Sequence, residues 1–407
     1  MHVIYFHQYF STRQGSTGTR SYEMAQKLLK RGHQVTMVCA SYGSANTGLS
    51  GPYRRGRREG VVDGIHVIEF ELPISNRDGL IKRTWTFLKY SLRSAWVAIF
   101  SKYDLIFATS TPLTAAIPGI AASWLRWKPF VFEVRDLWPE LPKAMGVVKN
   151  PIVLWLMGFL ERRAYKAARR CIGLAPGIAA GIAKHIPAER VAMIPNGCDL
   201  AFFDPATAKP WRPEGLKATD FVAVFSGTHG PANGLHAVLD AAAELKRRQR
   251  PEIKLLLVGD GKTKDGVVRR AKEEGLDNVV FHPNVKKELM PGLLAGANAG
   301  LQILANVPAF YFGTSPNKFF DYLAAGKAVV NNYPGWVAEM LQANRCGRAC
   351  PPEDPRALAD ALEYLADHPE ECQTMGENSR KLAEAQFNRD QLSDQFCEVL
   401  ESVGARR

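Results

Sequence analysis

Apolar runs of strand length alternate with helix-period segments along the whole chain, and any fold must first satisfy that alternation. In the first half the runs are residues 3–6, 34–39, 66–70, 105–109 and 130–134. Helical patterns lie between them, such as RSYEMAQKLLKR at 20–31, stopped by Gly32. Strands that are each followed by a crossover helix predict a parallel sheet covered on both faces. The second half repeats the scheme at 221–225, 254–258, 279–281, 300–304 and 328–331. Between the halves, residues 194–215 (IPNGCDLAFFDPATAKPWRPEG) are rich in Pro and Gly and have no period, which marks a boundary. A chain of 407 residues is too long for one core. The expected fold is therefore α/β, with two doubly wound, Rossmann-like domains at 1–200 and 201–407. From Pro355 onward the pattern is purely helical, and these terminal helices can return to the first domain. Such a pair places a cleft where the carboxyl ends of both sheets face each other.

That architecture leaves open a dehydrogenase, a two-lobed solute-binding protein, a sugar-nucleotide epimerase and a glycosyltransferase. A solute-binding protein needs export, and the opening MHVIYFHQYF has neither a basic n-region nor a small-residue cleavage site. A dinucleotide site needs G-x-G-x-x-G after the first strand, where HQYFSTRQGSTGTRS offers only Gly15 and Gly18. No run of about 20 apolar residues predicts a spanning helix. Seven cysteines, an odd count without framework spacing, predict reduced thiols in a cytosolic protein. Charge is one-sided: residues 1–200 hold 27 Lys and Arg against 13 Asp and Glu, a net of +14, while 201–407 hold 25 against 27, a net of −2. Such an excess predicts an anionic partner for the first half: a membrane surface, nucleic acid or a phosphorylated substrate.

Three stretches of the second half have the form of a phosphate site. In GTSPNKFFDYLAAGKAVV, 313–330, a loop opens a helix at about Asn317, and free N–H groups at a helix start suit phosphate. Lys318 lies in that first turn, where a cation is unfavourable unless an anion sits beside it. Asp321, one turn on, can accept from two ribose hydroxyls. The plain alternative is a Ser315 cap with Lys318 and Asp321 as a surface pair. SGTHGPANGL supplies Gly227, Gly230 and Gly234 after one strand, and VGDG follows another. In the first half, FEVRDLWPE puts Glu133, Arg135 and Asp136 directly after a buried strand, a costly position unless they are paired or used. An internal Arg–carboxylate pair pinning the loop is the plain alternative there. His7 ends the first strand in a similar position.

With these motifs on the page, the chain resembles the retaining glycosyltransferases of family 4, of GT-B fold, over essentially its whole length. The resemblance rests on GSTGTRSYEMAQKLLKRGHQVTMV, LERRAYKAARR, IPNGCDLAFF, LLLVGDG and SPNKFFDYLAAGKAVV. RDLWPE with SGTHGPANGL is similar to the bacterial subgroup that builds surface polysaccharides, amino-sugar transferases included. The resemblance implies that Asp321 binds the ribose, while Gly313 replaces the family's first Glu, which contacts the donor sugar. Thr228 and Asn233 replace the family's phosphate-binding Arg and Lys. Lys318 is then left for the diphosphate, with the N–H groups of Ser315 and Asn317; Pro316 has none to give. Arg135, followed by Asp136, takes the position of a family His and is assigned to catalysis, with Gly15, Gly18, His7 and Glu133 on the acceptor side. The implied donor is a nucleoside-diphosphate sugar, UDP by the subgroup, with an N-acetylated sugar possible. The implied acceptor is polyprenyl-diphosphate-linked or another glycan, and no metal or other cofactor is expected. A sugar-nucleotide 2-epimerase is the alternative, but it requires convergent acids and histidines. Nucleic acid is not expected as a partner, since YRRGRRE at 53–59 comes with no recognition signature.

A lipid-linked acceptor implies a protein on the inner face of the cell membrane. Residues 81–100 put Ile81, Trp85, Leu88, Leu92, Trp96 and Ile99 on one helical stripe and Lys82, Lys89 and Arg93 on another. That is an interfacial pattern; an ordinary helix packed on the sheet is the plain alternative. Arg54, Arg55, Arg57 and Arg58, expected in an exposed loop, would add to the attraction.

Overall fold

Strand after strand is apolar on both faces, and burial of both faces determines the architecture. The computed structural model describes residues 1–15, 18–43, 45–74 and 78–405; Ser16 and Thr17 of the GSTG stretch lie outside the described residues. The chain divides into two units: Met1–Pro195 with Gly313–Ser315 and Asp390 onward, and Asn196–Phe312 with Pro316–Arg389.

The first unit is built on β1 (His2–Phe6), β2 (Gln34–Tyr42), β3 (Arg57–Val62), β4 (Ile65–Ile74), β5 (Leu105–Thr109), β6 (Phe130–Val134), β7 (Arg170–Gly173) and β8 (Val191–Met193). Their order across the sheet is β3-β4-β2-β1-β5-β6-β7-β8, parallel except for the β3–β4 hairpin. The steps β4 to β5, β5 to β6 and β6 to β7 all run the same way along the sheet. Right-handed crossover therefore puts their helices, Leu80–Phe100, Ile117–Leu125 and Pro151–Ala167, on one face. The step from β1 to β2 runs the other way and sends Arg20–Lys30 to the opposite face. There Met24 and Leu28 pack with Val3, Tyr5 and Phe107, and with Phe396 and Leu400 of the last helix, Arg389–Gly404.

The second unit carries β9 (Phe221–Ser226), β10 (Ile253–Val258), β11 (Val279–His282), β12 (Ala299–Gln302), β13 (Ala328–Asn331) and β14 (Gly347–Ala349). The sheet is wholly parallel, in the order β11-β10-β9-β12-β13-β14. Its core joins Phe225, Leu255 and Leu257 to Leu239 of one helix and Leu358 and Leu362 of another. All seven cysteines are free and buried.

One expectation is corrected by the hairpin. Arg57 and Arg58 lie on β3 rather than in a loop; Arg54, Arg55 and Arg57 are exposed, whereas Arg58 is part-buried. Arg58 reaches Glu69 of β4 at 2.9 Å, and the Glu69 side chain is only 3% exposed. Thr47 and Tyr53 also donate to Glu69, each at 2.6 Å. A buried carboxylate needs those donors. Arg58→Ser is thus expected to cost about 2–3 kcal/mol in urea unfolding, somewhat below a fully buried pair because Arg58 is part-exposed. Arg54→Ser with Arg55→Ser should stay within about 0.5 kcal/mol of the parent. Equal stability of the two variants would disprove the structural role of Arg58.

Candidate functional site

Parallel strands deliver the loops that follow them to one edge, and the second unit gathers three there. Gly227–Gly234 follows β9, Gly259–Gly261 follows β10, and the loop after β12 leads to the helix Asn317–Ala324. Backbone stitches the first two together: Gly227 N–H donates to the Val258 carbonyl at 2.9 Å and His229 N–H to that of Asp260 at 2.9 Å. A Cβ on Gly259 would lie 1.9 Å from the Gly227 carbonyl oxygen, and one on Gly261 2.4 Å from that of His229. One on Gly234, at φ +54°, would meet the Ala305 backbone at 2.8 Å. Chain-on-chain contact therefore demands these three glycines. Gly230 differs, since a Cβ there would meet only the Thr228 methyl, at 3.6 Å.

Gly227 makes room for Lys318, whose Cε and Nζ would lie 3.1 and 3.2 Å from a Cβ at that position. Lys318 Nζ donates to Asn233 Oδ1 at 2.9 Å and sits 3.8 Å from the centre of the Phe225 ring. Asn233 in turn donates through Nδ2 to the Thr228 carbonyl at 2.7 Å, so its amide joins the loop to the lysine. Burial without a countercharge draws the Lys318 pKa down to about 7. The helix N-cap is Pro316, and no side chain caps it. Ser315 is therefore not the cap, and Lys318 forms no ion pair with Asp321.

Asp321 has its carboxyl pushed up to about 6 by burial, against the pull of Arg389 and Lys287 and with Asp199 adding to the rise. Beside it, the Tyr322 hydroxyl accepts from Ser226 N–H at 3.0 Å and fastens the end of β9 to this helix. Sequence reasoning passed over His229. Its ring is buried, neither ring nitrogen has a hydrogen bond, and burial with Lys264 nearby lowers its pKa to about 4. A histidine between loop glycines was the available signal.

In the first unit β1, β5 and β6 end side by side. Glu133 on β6 is completely buried and takes Arg20 at 2.9 Å, the Thr109 hydroxyl at 2.8 Å and Arg135 at 3.4 Å. Burial alone would raise its pKa, but the two guanidiniums outweigh it and hold the carboxyl low. Arg20, absent from the sequence-based site, also donates to the carbonyls of Ile194 and Pro195 at 2.9 and 2.6 Å. The internal clamp is thus what forms, and Glu133 does not face a ligand. Arg135 stays part-exposed, bonded to Thr109 Oγ1 at 2.8 Å and Ser21 Oγ at 3.0 Å. Asp136 accepts from the Thr111 hydroxyl at 3.0 Å, and burial raises its pKa against Thr111 and Arg135. His7 is buried with Nδ1 unpartnered, and burial and Arg135 keep its ring neutral. Gly15 packs where a Cβ would strike Ser11 Oγ at 2.0 Å, whereas Gly18 is exposed.

Two family models match this chain and together span most of it: "Glycosyl transferase 4-like domain" over residues 15–197 and "Glycosyl transferases group 1" over 209–382. The two parts of the chain thus carry domains of the family 4 type of glycosyltransferases, and its fold is GT-B. It is 25% identical to the MMP alpha-(1->4)-mannosyltransferase of Mycolicibacterium hassiacum, across 63% of this chain and 60% of that protein. It is 25% identical to the alpha-D-kanosaminyltransferase of Streptomyces kanamyceticus, across 63% and 65%. To the O-antigen chain mannosyltransferase C of Escherichia coli it is 26% identical, across 43% and 45%. The chain thus matches from under half to about two thirds of these relatives' lengths. Sucrose-phosphate synthase from Thermosynechococcus elongatus superposes with a TM-score of 0.76 at 18% identity over 100% of both chains. Anabaena HepE, solved with UDP and glucose, does so at 0.70 and 20% over 99% of this chain and 100% of that one.

Removing the Glu133 carboxylate strands two cations in the first unit. Glu133→Ala is expected to lose roughly 3–5 kcal/mol of stability by thermal or chemical unfolding. A variant with parental stability but no turnover would assign Glu133 to the reaction instead.

Proposed function

We propose that the chain moves a sugar, N-acetylated in one version of this reading, from a nucleoside-diphosphate donor to a polyprenyl-diphosphate-linked or other glycan acceptor. The nucleotide is UDP, the configuration at the anomeric carbon is retained, and the product feeds cell-surface polysaccharide on the inner face of the membrane. The second unit takes the nucleotide sugar and the first the acceptor. One observation carries the reading: an ammonium without a countercharge, Lys318, at a helix start, with the carboxylate of Asp321 one turn on. The surface-polysaccharide setting is supported by the O-antigen relative, and UDP by the UDP complex of a protein of the same fold.

In the reaction the bond from the anomeric carbon to the β-phosphate oxygen breaks. The acceptor oxygen bonds to that carbon on the same face, and its proton passes to the departing phosphate. The charge developing on the diphosphate is met by Lys318 and the N–H groups of the helix start, and no metal is assigned to the step. Arg135 and Asp136 are assigned to the reaction from the first unit. No described helix is long and apolar enough to cross a membrane.

Release of nucleoside diphosphate only when an acceptor is supplied is the expected result. Interconversion of the free sugar nucleotide without acceptor would make the protein an epimerase. Asp321→Ala should weaken UDP binding by roughly 1.5–3 kcal/mol by calorimetry, the range for hydrogen bonds to a charged group; unchanged affinity removes the ribose assignment.

Lys318 also predicts a pH dependence. Free, it loses its proton above about pH 7; a bound diphosphate restores the charged form, so binding above that pH takes up a proton. UDP affinity should then fall as pH rises from about 7.5 to about 9, by at most about tenfold per pH unit, and Lys318→Ala should flatten the slope. A parent affinity independent of pH across that window refutes the assignment.

A further inference from the structure

On one face of the first unit's sheet lie the helices Leu80–Phe100, Ile117–Leu125 and Pro151–Ala167. The first of them is inverted in polarity. Its packing side is made of Thr86, Tyr90, Ser91, Ser94, Val97 and Ala98, all buried. Tyr90 Oη donates to the Val38 carbonyl and Ser91 Oγ to that of Thr114, both at 2.8 Å. Its outer side carries Ile81, Trp85, Leu92 and Trp96, exposed by 88, 59, 68 and 67%. Trp124 and Trp127 are exposed at the end of the second helix, and Ile152, Trp155 and Leu156 on the third.

These residues form one surface. The Arg163 guanidinium lies 5.0 Å from the Trp124 ring centre and 5.2 Å from that of Phe159, bridging the second and third helices. Arg126 donates to the Ala98 and Ser101 carbonyls and ties the second helix to the end of the first. Five of the chain's eight tryptophans are exposed on this face. Isolated exposed apolar residues are ordinary; a joined patch of this make-up marks a contact surface.

Charge identifies the occupant. Leu80–Phe100 contains Lys82, Arg83, Lys89 and Arg93 and no acid, and Ile117–Leu125 has no charge at all. The single acid of Pro151–Ala167, Glu161, is buried and accepts from the Tyr165 hydroxyl at 2.6 Å, while Arg162, Arg163 and Lys166 are exposed. Lys82 pairs with Asp78 at 2.7 Å, but a second copy of this face would set the other cations against their own kind. An anionic bilayer suits both features: indole rings favour the interface, and long basic side chains lay their stems on apolar surface and reach lipid phosphates. Each such cation near an anionic leaflet adds to the attraction.

We propose that this three-helix face docks on the interfacial layer of an anionic bilayer, with Trp85, Trp96, Trp124, Trp127 and Trp155 among the head groups and Lys89, Arg162 and Arg163 against the phosphates. This deepens the functional reading by naming the surface, and it rests on that reading only for the purpose of the contact, a lipid-linked acceptor. The test is co-sedimentation of the full chain with phosphatidylcholine vesicles containing about a third phosphatidylglycerol, at low salt. Binding is expected, with a blue shift of indole fluorescence. It should weaken at least ~5-fold on neutral vesicles or in ~0.5 M salt. Trp96→Ser with Trp155→Ser, and separately Lys89→Glu with Arg162→Glu, should each lose at least ~10-fold in vesicle affinity while keeping parental melting and UDP binding. A parent that stays in the supernatant overturns the proposal, as do variants that bind like the parent. Concentration-dependent dimerisation abolished by the tryptophan variant would give the face to a second copy and equally overturn it. Transfer is followed separately with a detergent-solubilised acceptor: its failure alongside intact vesicle binding refutes the transfer reading and leaves the docking face standing.

Discussion

A carboxylate sealed from water at the end of a central strand is tolerable only if cations come with it, and the first unit is arranged around supplying them to Glu133. Arg20 crosses from the helix Arg20–Lys30, and its remaining N–H groups take the carbonyls of Ile194 and Pro195. Arg135 closes the other side, itself held by Thr109 and Ser21. The ends of β5 and β6, the first helix and the chain leaving β8 are thereby coupled, because moving any of them would leave charge unpaired. The Arg135–Asp136 loop starts from this fixed base.

The second unit shows the converse. Its edge is assembled by backbone contact between two loops, with glycine wherever a Cβ would collide. Lys318 enters that frame with an amide and an aromatic ring for company and no carboxylate. A cation so placed is unfavourable for the empty protein and becomes favourable only with an anion beside it. Asp321 is in the complementary state, a carboxyl raised by burial that hydroxyl donors would return to its charged form. The two titrations are shifted towards each other because burial penalises the charged form of each.

The helix Leu80–Phe100 illustrates how little apolar area a helix needs on its packing side. Ser91, Ser94 and Ala98 are small enough to let it lie close to its neighbours, and hydroxyl-to-carbonyl bonds satisfy Thr86, Tyr90 and Ser91, leaving the buried Ser94 Oγ without one. Cohesion therefore does not consume the large side chains, which remain outside with the cations.

Most of this protein's backbone was legible in its sequence, since a strand buried on both faces must be written as an uninterrupted apolar run and a crossover helix as a 3.6-residue period. Five strands of each half were visible in this way, and so was the start of the helix that carries Lys318 and Asp321, because a helix start and the loop before it are local in the chain. The strands that escaped have physical reasons: β8 and β14 are three residues long, too short for a period, β7 is an apolar pair between Arg170 and Gly173, and β3 is a charged edge strand formed by pairing with β4. Partners distant in sequence were not legible either. Arg20 and Glu133 are 113 positions apart, so nothing local distinguishes a clamp from a ligand contact, and Glu133 was expected to face a ligand. Likewise the stripe on Leu80–Phe100 was readable as amphipathic, but whether it faces the sheet or the solvent was not. Periodicity records that a side chain belongs to a face, and tertiary packing alone decides what that face meets.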